Sequence, residues 1–476
     1  MIRRSLATLL ALALLPALAP PAAAAPPPPV VNVSRRTANQ SEAAVAVNPG
    51  DANDVVVASN VEFGYGITVS VSHDAGATWA STVLGDNDAF GKACCDPTIS
   101  WQANGNLFLT WLGYQGKTYP NVVPLILSTD GGDSWTSHAV LDPPPPAAAV
   151  RDRGSLPFRG PSATQEEPRG AGAIDQPTIV TGARAVWIVW SQDGWLQAAG
   201  ARAPGLGDVR AFRPVQDIPH THGCTFGDLS IGPAGEVLQV CQRNVPHTSP
   251  PVSRLRMNID PDGFGPAGFS AGRVIASTNV SLFEPIPAQR SRTIDAEAGL
   301  AWDTTGGAFD GRVYLLYTDE PVDQSNDTDT YLMTSDDQGG AWTSPVPIAT
   351  SPRSQFLPRI SLDPTSGHLA AGWHDAIGDT GTGPYDTDGV PNTDAMYFMT
   401  FSADGGATWT FPFSVSQGAS NARASGNQIE YGDYTGLAFV AGVAHPGWAD
   451  NSNSTGDNPN GTLHQFDVYS SAVPEV

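Results

Sequence analysis

The sequence predicts an all-β protein, specifically a β-propeller of four-stranded blades, with seven blades preferred and six as the alternative. Three observations lead to this prediction. Glycine and proline are abundant, with 50 and 42 of the 476 residues, while lysine occurs only twice, and this composition favours strands and turns over helices. A strand-turn-strand unit recurs seven times, and an eight-residue corner recurs four times. Long repeats built from short strands are typical of propeller blades.

Each of the seven units starts with a polar residue, continues into a short apolar strand and a turn, and ends in a strand rich in Val, Leu and Trp. The units begin SEAAVAV, CDPTISW, DQPTIV, GDLSI, DAEAGLAW, LPRISL and GDYTGLAF, at residues 41, 95, 175, 227, 295, 357 and 432. The outer corners, at Ser72 and Ser402, lie 330 residues apart, which is five steps of 66. Ring closure is expected to bring the C-terminal strand LHQFDVYSS beside the first unit, which would leave no exposed sheet edge.

The corner follows the pattern Ser-x-Asp-x-Gly-x-x-Trp. Its Asp can accept backbone N–H bonds within its own turn, and its Gly supplies a positive φ. Its Trp has a large apolar face that suits a wedge between neighbouring sheets. We therefore interpret the corner as structural rather than catalytic. The four copies comprise Ser72, Asp74, Gly76 and Trp79; Ser128, Asp130, Gly132 and Trp135; Ser335, Asp337, Gly339 and Trp342; and Ser402, Asp404, Gly406 and Trp409.

The corner is similar to the Asp box, the BNR repeat of the sialidase superfamily, and with the intervening units the resemblance covers nearly the whole mature chain. It implies a propeller whose Asp boxes lie on the outer rim, away from a site over the central channel. Catalytic members clamp the substrate carboxylate with three arginines, and use a Tyr activated by Glu as nucleophile and an Asp as acid/base. Where such enzymes carry Arg-Ile-Pro before the first blade, this chain reads VNVSRRTANQSE.

Polar residues at the start of the inner strands are expected to converge on the channel mouth. Such a ring suits a glycan site with a carboxylate pair or a bound divalent cation; alternatively, its members only cap strand ends and bond to neighbouring blades. In the roles that the resemblance implies, Tyr434 is the nucleophile, Glu430 its base and Asp96 the acid/base. Substrate binding is assigned to Arg359 as the carboxylate clamp, with Asp175, Asp295 and Asp433. The remaining members of the ring are Glu42, Asp228 and Glu297.

Four cysteines in an exported chain suggest disulfides. Cys224 and Cys241 flank TFGDLSIGPAGEVLQV, which reads as a hairpin that a bridge could cross. Cys94 and Cys95 are adjacent, so they form a vicinal bridge, pair separately or stay reduced.

Two further patterns are candidate metal sites. In HTHGC, His220, His222 and Cys224 alternate, which suits a copper or zinc site, although loop histidines beside disulfides explain it as well. The Asp-rich loops at residues 319–330 and 374–394 are candidates for structural Ca²⁺, with solvated acidic loops as the alternative. No metal is assigned to a particular site, and the expected chemistry requires no cofactor.

The N-terminus reads MIRRSLATLLALALLPALAPPAAAA, a charged start, a short apolar run and a small-residue end, which predicts a signal peptide at residues 1–25. Residues 26–38 are interpreted as a Pro-rich leader, and 39–476 as a single Asp-box propeller domain. No stretch is suited to a membrane span, so we expect a secreted monomer, extracellular or periplasmic. The net charge of -23 argues against nucleic acid as a partner.

Two functional classes remain open. The first is a secreted sialidase-like protein, a glycan-active hydrolase on extracellular acidic sugars and of the exo-sialidase type. It requires further arginines near Arg359, for which Arg213, Arg290 and Arg292 are the candidates. The alternative is a non-catalytic propeller that binds glycan or protein through its channel face.

Overall fold

The structure, a computed structural model, describes residues 29–61, 65–141, 174–381 and 388–475. The predicted signal peptide and the Pro/Gly-rich insertion at residues 154–173 lie outside these ranges. Seven antiparallel sheets follow one another along the described chain. The innermost strands of consecutive sheets contact each other, and the last contacts the first, so the sheets close into a ring. The fold is a seven-bladed β-propeller, as the sequence predicted, and the six-bladed alternative is wrong.

The strands of blades one to six run in chain order from the channel outwards. The first strand of the chain, β1 (Val30–Asn32), belongs to the last blade. Blade one consists of β2 (Ala44–Asn48), β3 (Asp51–Asn60), β4 (Ile67–Ser72) and β5 (Ala80–Leu84). Blade two consists of the short β6 (Asp86–Asp88), then β7 (Gly91–Trp101), β8 (Leu107–Tyr114), β9 (Val123–Ser128) and β10 (Thr136–Leu141). Blade three consists of β11 (Ile174–Gly182), β12 (Ala185–Gln192), β13 (Trp195–Arg202) and β14 (Gln216–Asp217).

The second half of the ring contains four blades and one inserted hairpin. Blade four consists of β15 (Thr225–Ile231), β16 (Val237–Asn244), β17 (Ser253–Asp260) and β18 (Arg273–Thr278), and the hairpin of β19 (Glu284–Ile286) and β20 (Gln289–Ile294). Blade five consists of β21 (Gly299–Trp302), β22 (Val313–Asp319), β23 (Asp329–Ser335) and β24 (Val346–Ala349). Blade six consists of β25 (Gln355–Leu362), β26 (Leu369–Asp375), β27 (Asp394–Ser402), β28 (Phe413–Ser414) and β29 (Ser420–Asn421), followed by the helix α1 (Ala422–Ser425). Blade seven consists of β30 (Gly436–Val440), β31 (Val443–Asp450), β32 (Asp467–Ser471), β33 (Val473–Pro474) and β1.

The ring closes through its two chain ends. Strand β1 pairs antiparallel with β32, with Val30 opposite Ser471, so the C-terminal strand meets the start of the chain. The side chain of Asn32 donates a buried hydrogen bond of 2.6 Å to Asp467. Residues from the segment interpreted as a leader thus supply the outermost strand of blade seven, which satisfies an otherwise open sheet edge.

The core lies between the blades. Each blade packs face to face with its neighbours, and strands covered on both faces read as continuous apolar runs. Strand β8, LFLTWLGY, is buried at every residue but the last. Seven apolar clusters each join two adjacent blades. In the described part of the chain no helix is suited to crossing a membrane, and α1 has only four residues.

The Asp boxes join the third and fourth strands of blades one, two, five and six. Ser128 Oγ donates to Asp130 at 2.8 Å and accepts from the Gly132 N–H at 2.9 Å, and the other three boxes repeat this pair of bonds. Gly339 has a φ of 79°, and an added Cβ would lie 2.6 Å from Met257 Sδ in the preceding blade. The box Trp135 packs against the cluster joining blades one and two. Each box therefore pins one hairpin against the preceding blade.

Candidate functional site

The innermost strands begin at one end of the channel, which we call the mouth. First and third strands run in the same direction, so the Asp boxes, which follow the third strands, lie at the opposite end. Several innermost strands have a residue with a left-handed backbone within or just before them, and in blades two, three and six the strand pairing shifts there by a bulge. Such backbone costs about 1–3 kcal/mol at a non-glycine residue and persists only where the surroundings impose it. These residues are Glu42 (φ 55°), Asp96 (55°), Gln176 (47°), Glu297 (46°) and Leu357 (52°).

A cavity that is partly open to solvent lies in the channel. Residues from the innermost strand of every blade line it, or residues directly before those strands. Its wall combines apolar groups such as Pro97 and Ile99 with polar groups such as Gln176 and Glu297. A concave, largely apolar pocket with a few convergent polar groups is the usual form of a small-molecule site.

The hairpin of β19 and β20, here called the mouth hairpin, brings the side chain of Arg292 from between blades four and five to the carboxylates of Glu42 and Asp433. The carboxylate of Glu430 accepts the backbone N–H groups of Ser291 at 3.0 Å and Arg292 at 3.2 Å. Gln289 Nε2 donates to the carbonyl of Gly432 at 2.9 Å. The segment before blade seven therefore fastens the hairpin and fixes the position of Arg292.

The guanidinium of Arg292 pairs with two carboxylates. Its Nε donates to Asp433 Oδ1 at 2.7 Å, and its Nη2 donates to Asp433 Oδ2. The same Nη2 lies 3.0 Å from Glu42 Oε1. Burial alone would lower the pKa of Arg292, but Asp433 and Glu42 raise it well above its ordinary value. The arginine is permanently charged, and the carboxylates of Asp433 and Glu42 already compensate its charge.

Glu42 and Asp96 form a buried carboxyl pair beside this arginine. Asp96 acts on Glu42 as a side-chain hydrogen-bond partner that lowers the pKa of Glu42, and only 1% and 4% of their surfaces are exposed. Burial, opposed by Arg292 and assisted by Asp433, raises the pKa of Glu42 to about 7. Burial and the charges of Glu42 and Asp175 raise the pKa of Asp96 well above its ordinary value. Two carboxylates in contact do not both ionise readily, so the pair holds a proton near neutral pH.

Neutral donors fix the orientation of this pair. Asn60 Nδ2 donates to Glu42 Oε2 at 2.6 Å, and the backbone N–H of Gln176 donates to Asp96 Oδ2 at 3.1 Å. Each carboxyl group is thereby held from a second blade or strand, which is the preorganisation that acid/base chemistry requires.

Asp295 and Glu297 add two more carboxyl groups from the start of blade five. Asp295 accepts the backbone N–H of Phe283 at 3.0 Å. Burial and the charge of Asp433 raise the pKa of Asp295 well above its ordinary value, and burial with Asp295 does the same for the pKa of Glu297. Within the described structure, Glu297 Oε1 is a buried atom without a hydrogen-bond partner. A buried polar atom of this kind in a cavity wall marks a place where a ligand can bind.

The structure does not join Tyr434 and Glu430 as a nucleophile and its base. The Tyr434 hydroxyl donates to the carbonyl of Pro97 at 3.1 Å, whereas Glu430 holds the mouth hairpin. No hydrogen bond links the two side chains among the described residues. Burial and the charges of Asp96, Glu42 and Asp433 raise the pKa of Tyr434 well above its ordinary value. A phenolate is therefore disfavoured in this acidic surrounding.

Arg359 lies in the channel wall, where its Nη1 is 3.4 Å from Asp228 Oδ2. Asp228 also accepts the backbone N–H groups of Leu229 at 2.9 Å and Leu300 at 2.8 Å. Asp175 is exposed at the edge of the mouth, close enough to act on the pKa of Asp96. Arg359 thus reaches the channel already paired with a carboxylate.

Of the three further arginines considered from the sequence, Arg292 reaches the mouth. Arg290 is exposed on the hairpin, and Arg213 donates to the backbone carbonyls of Phe264 and Gly265. A clamp of three arginines is therefore not assembled by the described residues. Sequence reasoning offered Arg292 only as one of three candidates, because the hairpin that carries it belongs to none of the repeated units.

The cysteines form two disulfides, Cys94–Cys95 directly before Asp96 and Cys224–Cys241 within blade four. Cys224 is consequently not available as a ligand in HTHGC, and the ring of His222 packs edge-on against a Trp195 ring 5.0 Å away. Among the described residues, no group of three or more His, Cys, Asp or Glu side chains is arranged to hold a metal ion.

In the first Asp-rich loop, the carboxylate of Asp319 is hydrogen-bonded to the end of blade four. Asp319 Oδ1 accepts from Thr278 Oγ1 at 3.0 Å and from the backbone of Asn279 at 2.7 Å. In the second loop, Asp379 accepts the backbone N–H of Gly381 at 2.7 Å, and residues 382–387 lie outside the described ranges. Structural Ca²⁺ stays a prediction.

No protein-family model matches the sequence, and no curated protein matches it. Solved structures with a similar course of the chain include an α-L-arabinofuranosidase of Fusarium graminearum with arabinobiose, at 13% identity and a TM-score of 0.46, covering 72% of this chain and 90% of that one. A protein of unknown function from Dyadobacter fermentans has 12% identity and a TM-score of 0.47, covering 94% and 98%. A Hadza microbial sialidase has 13% identity and a TM-score of 0.43, covering 90% and 74%. At these values, nothing about the chemistry of this chain follows from the likeness.

Proposed function

We propose that the channel mouth binds a glycan and hydrolyses a glycosidic bond, with the Glu42–Asp96 pair as the general acid. The observation that carries this proposal is the buried pair of carboxyl groups, Glu42 and Asp96, each directly before a residue that lines the channel cavity. Glycoside hydrolysis needs a proton donor at the leaving oxygen and a carboxylate on the other side of the sugar. The resemblance of the four corners to the Asp box agrees with a glycan as the ligand.

The residues of the mouth divide into three roles under this proposal. The shared proton of Glu42 and Asp96 is donated to the leaving oxygen, and the pair then accepts a proton from water. Asp433, held by Arg292, is the candidate for the carboxylate that stabilises positive charge on the sugar or activates water. Glu297, with its unpartnered Oε1, is the candidate hydrogen-bond partner of a sugar hydroxyl.

We propose that the protein acts outside the cytoplasm on an extracellular glycan. The predicted signal peptide supports export, and the two disulfides suit an oxidising compartment. The sequence-based expectation of a monomer stays a prediction.

A non-catalytic glycan-binding propeller is the second candidate function. It is favoured by the hydroxyl of Tyr434, which is engaged with a backbone carbonyl, and by the arginines, which are both paired with carboxylates. In that case the same mouth binds the glycan and leaves it intact.

Release of reducing sugars from a panel of oligosaccharides by the purified, disulfide-intact protein tests the proposal. We expect release by the wild type and a loss of about 100-fold or more for Asp96→Asn. The matched control is Asp336→Asn, since Asp336 also pairs with an arginine but lies in the Asp box of blade five with its side chain 70% exposed. Binding without release would favour the second candidate, and neither binding nor release would overturn both.

A further inference from the structure

On the basis of the proposed function, we infer that the mouth selects neutral glycans and discriminates against acidic ones. This departs from the acidic sugars expected from the sequence. The inference depends on how the two arginines of the channel are occupied, and on the groups that remain available to a ligand.

Arg292 is not available to clamp a substrate carboxylate. A guanidinium recognises a carboxylate best through two parallel N–H groups, and Arg292 already presents its Nε and Nη2 to Asp433. The same Nη2 also contacts Glu42 at 3.0 Å. An acidic sugar could bind through this pair of N–H groups only by displacing Asp433, and the displaced carboxylate would then lie unpaired beside the ligand.

Arg359 is the second arginine of the channel and is also paired. Its partner Asp228 cannot easily turn away, because two backbone N–H groups hold the carboxylate in place. An incoming anion would therefore share Arg359 with a fixed negative charge. Two like charges held close together near a protein surface repel each other.

The remaining groups of the mouth suit a ligand with many hydroxyls and no charge. Burial raises the pKa values of Asp96, Asp295 and Glu297 well above their ordinary range, which favours the protonated forms of these side chains. A protonated carboxyl both donates and accepts a hydrogen bond, as a sugar hydroxyl does. Pro97 and Pro177 supply apolar wall beside them.

Oligosaccharide pairs that differ only in charge test the inference. Galactan, glucan and mannan oligomers are each compared by calorimetry with the uronic acid oligomer of the same sugar and length, in which a carboxylate replaces the C6 hydroxymethyl group. We expect the neutral member of the best-bound pair to bind at least tenfold more tightly, which is about 1.4 kcal/mol. Tighter binding of the acidic member would overturn the inference while leaving the glycan function intact. Absence of binding to every oligomer would instead overturn the proposed function, and the inference with it.

The variant Asp433→Asn tests whether the occupied arginine is the cause. With Asp433 neutral, Arg292 becomes available to a carboxylate of the ligand. The ratio of the affinities for the neutral and the acidic oligomer should therefore fall about tenfold, mainly because the acidic oligomer binds more tightly. The control Asp336→Asn, which removes a carboxylate from Arg312 far from the mouth, should leave the preference unchanged. If Asp433→Asn lost affinity equally for the neutral and the acidic oligomer, or left the ratio of the two affinities unchanged, the occupied Arg292 would not be the cause of the preference. Thermal unfolding of each variant separates these results from a failure to fold.

Discussion

Arg292 of the mouth hairpin and Asp433, at the start of blade seven, form a two-point ion pair across the channel mouth, with Nε donating to Oδ1 at 2.7 Å. The pair connects an insertion between blades four and five to the last blade of the ring. It also sets the charge of the site, because the arginine compensates carboxylates that would otherwise repel each other.

Removal of Arg292 should therefore destabilise the protein in a pH-dependent way. In Arg292→Met, Glu42 and Asp433 lose their shared counter-charge, and we expect the free energy of unfolding to fall by about 3 kcal/mol at pH 8. The loss should be smaller at pH 5, where Glu42 is protonated. Arg312→Met is the matched control, because its partner Asp336 is exposed and such pairs contribute about 1 kcal/mol or less. Equal losses for the two variants in urea unfolding would contradict this description of the mouth.

The stability of the wild type should fall as the pH rises from about 4.5 to about 8. Burial raises the pKa of Glu42 from 4.5 to about 7, and burial with Glu284 raises that of Glu320 to about 8. Between the unfolded and folded pKa values the folded state binds more protons, so each such group reduces stability by up to about 1.4 kcal/mol per pH unit. Urea unfolding at pH 5, 6.5 and 8 measures the trend. A free energy of unfolding that increases over this range would refute the assignment of these carboxyl groups.

Tyr434→Phe should retain activity. The Tyr434 hydroxyl donates to the Pro97 carbonyl, so its removal costs one partly buried hydrogen bond, worth about 1 kcal/mol of stability. The test compares the hydrolysis rates of Tyr434→Phe and the wild type at a temperature well below unfolding. We expect a reduction of less than about tenfold. Complete loss of activity with an unchanged fold would restore Tyr434 as the nucleophile that the sialidase resemblance implied.

Ser128→Ala should weaken the Asp box of blade two without affecting the site. Ser128 is 1% exposed, and its hydroxyl bonds both Asp130 and the Gly132 backbone. Loss of both bonds should lower the free energy of unfolding by about 1–3 kcal/mol. Ser137→Ala, in the exposed part of β10, is the control and should change it by less than about 0.5 kcal/mol. If the affinity for glycan changed along with the free energy of unfolding, the Asp box would also influence the binding site, which would contradict its purely structural role.

The architecture could be predicted from the sequence because each blade repeats the same elements. A short innermost strand, a strand buried on both faces and a corner recur, and the seven units identified in the sequence begin within the seven innermost strands or shortly before them. The closing strand β1 was not recognised, since three residues of a Pro-rich segment carry no periodic signal of their own. Its identity depends on pairing with β32, more than 430 residues away.

The candidate site was accessible only in part. The carboxylates of the mouth could be listed because innermost strands begin at a common edge, and Asp96, Asp295 and Asp433 do lie together. A local bulge decides which residue at the beginning of an innermost strand faces the channel. In blade three, Gln176 rather than Asp175 has the left-handed backbone. The pairing of Arg292 depends on contacts between remote segments, and no local pattern encodes it.

The most direct test of the central claim is the pH dependence of hydrolysis by the wild type and Glu42→Gln. If the buried Glu42–Asp96 pair is the general acid, the wild-type rate should fall as the pH rises, because the pair then loses the proton that it donates. In Glu42→Gln the negative charge that raises the pKa of Asp96 is absent, so the fall should move to lower pH. An identical alkaline limb in the two proteins would contradict the claim.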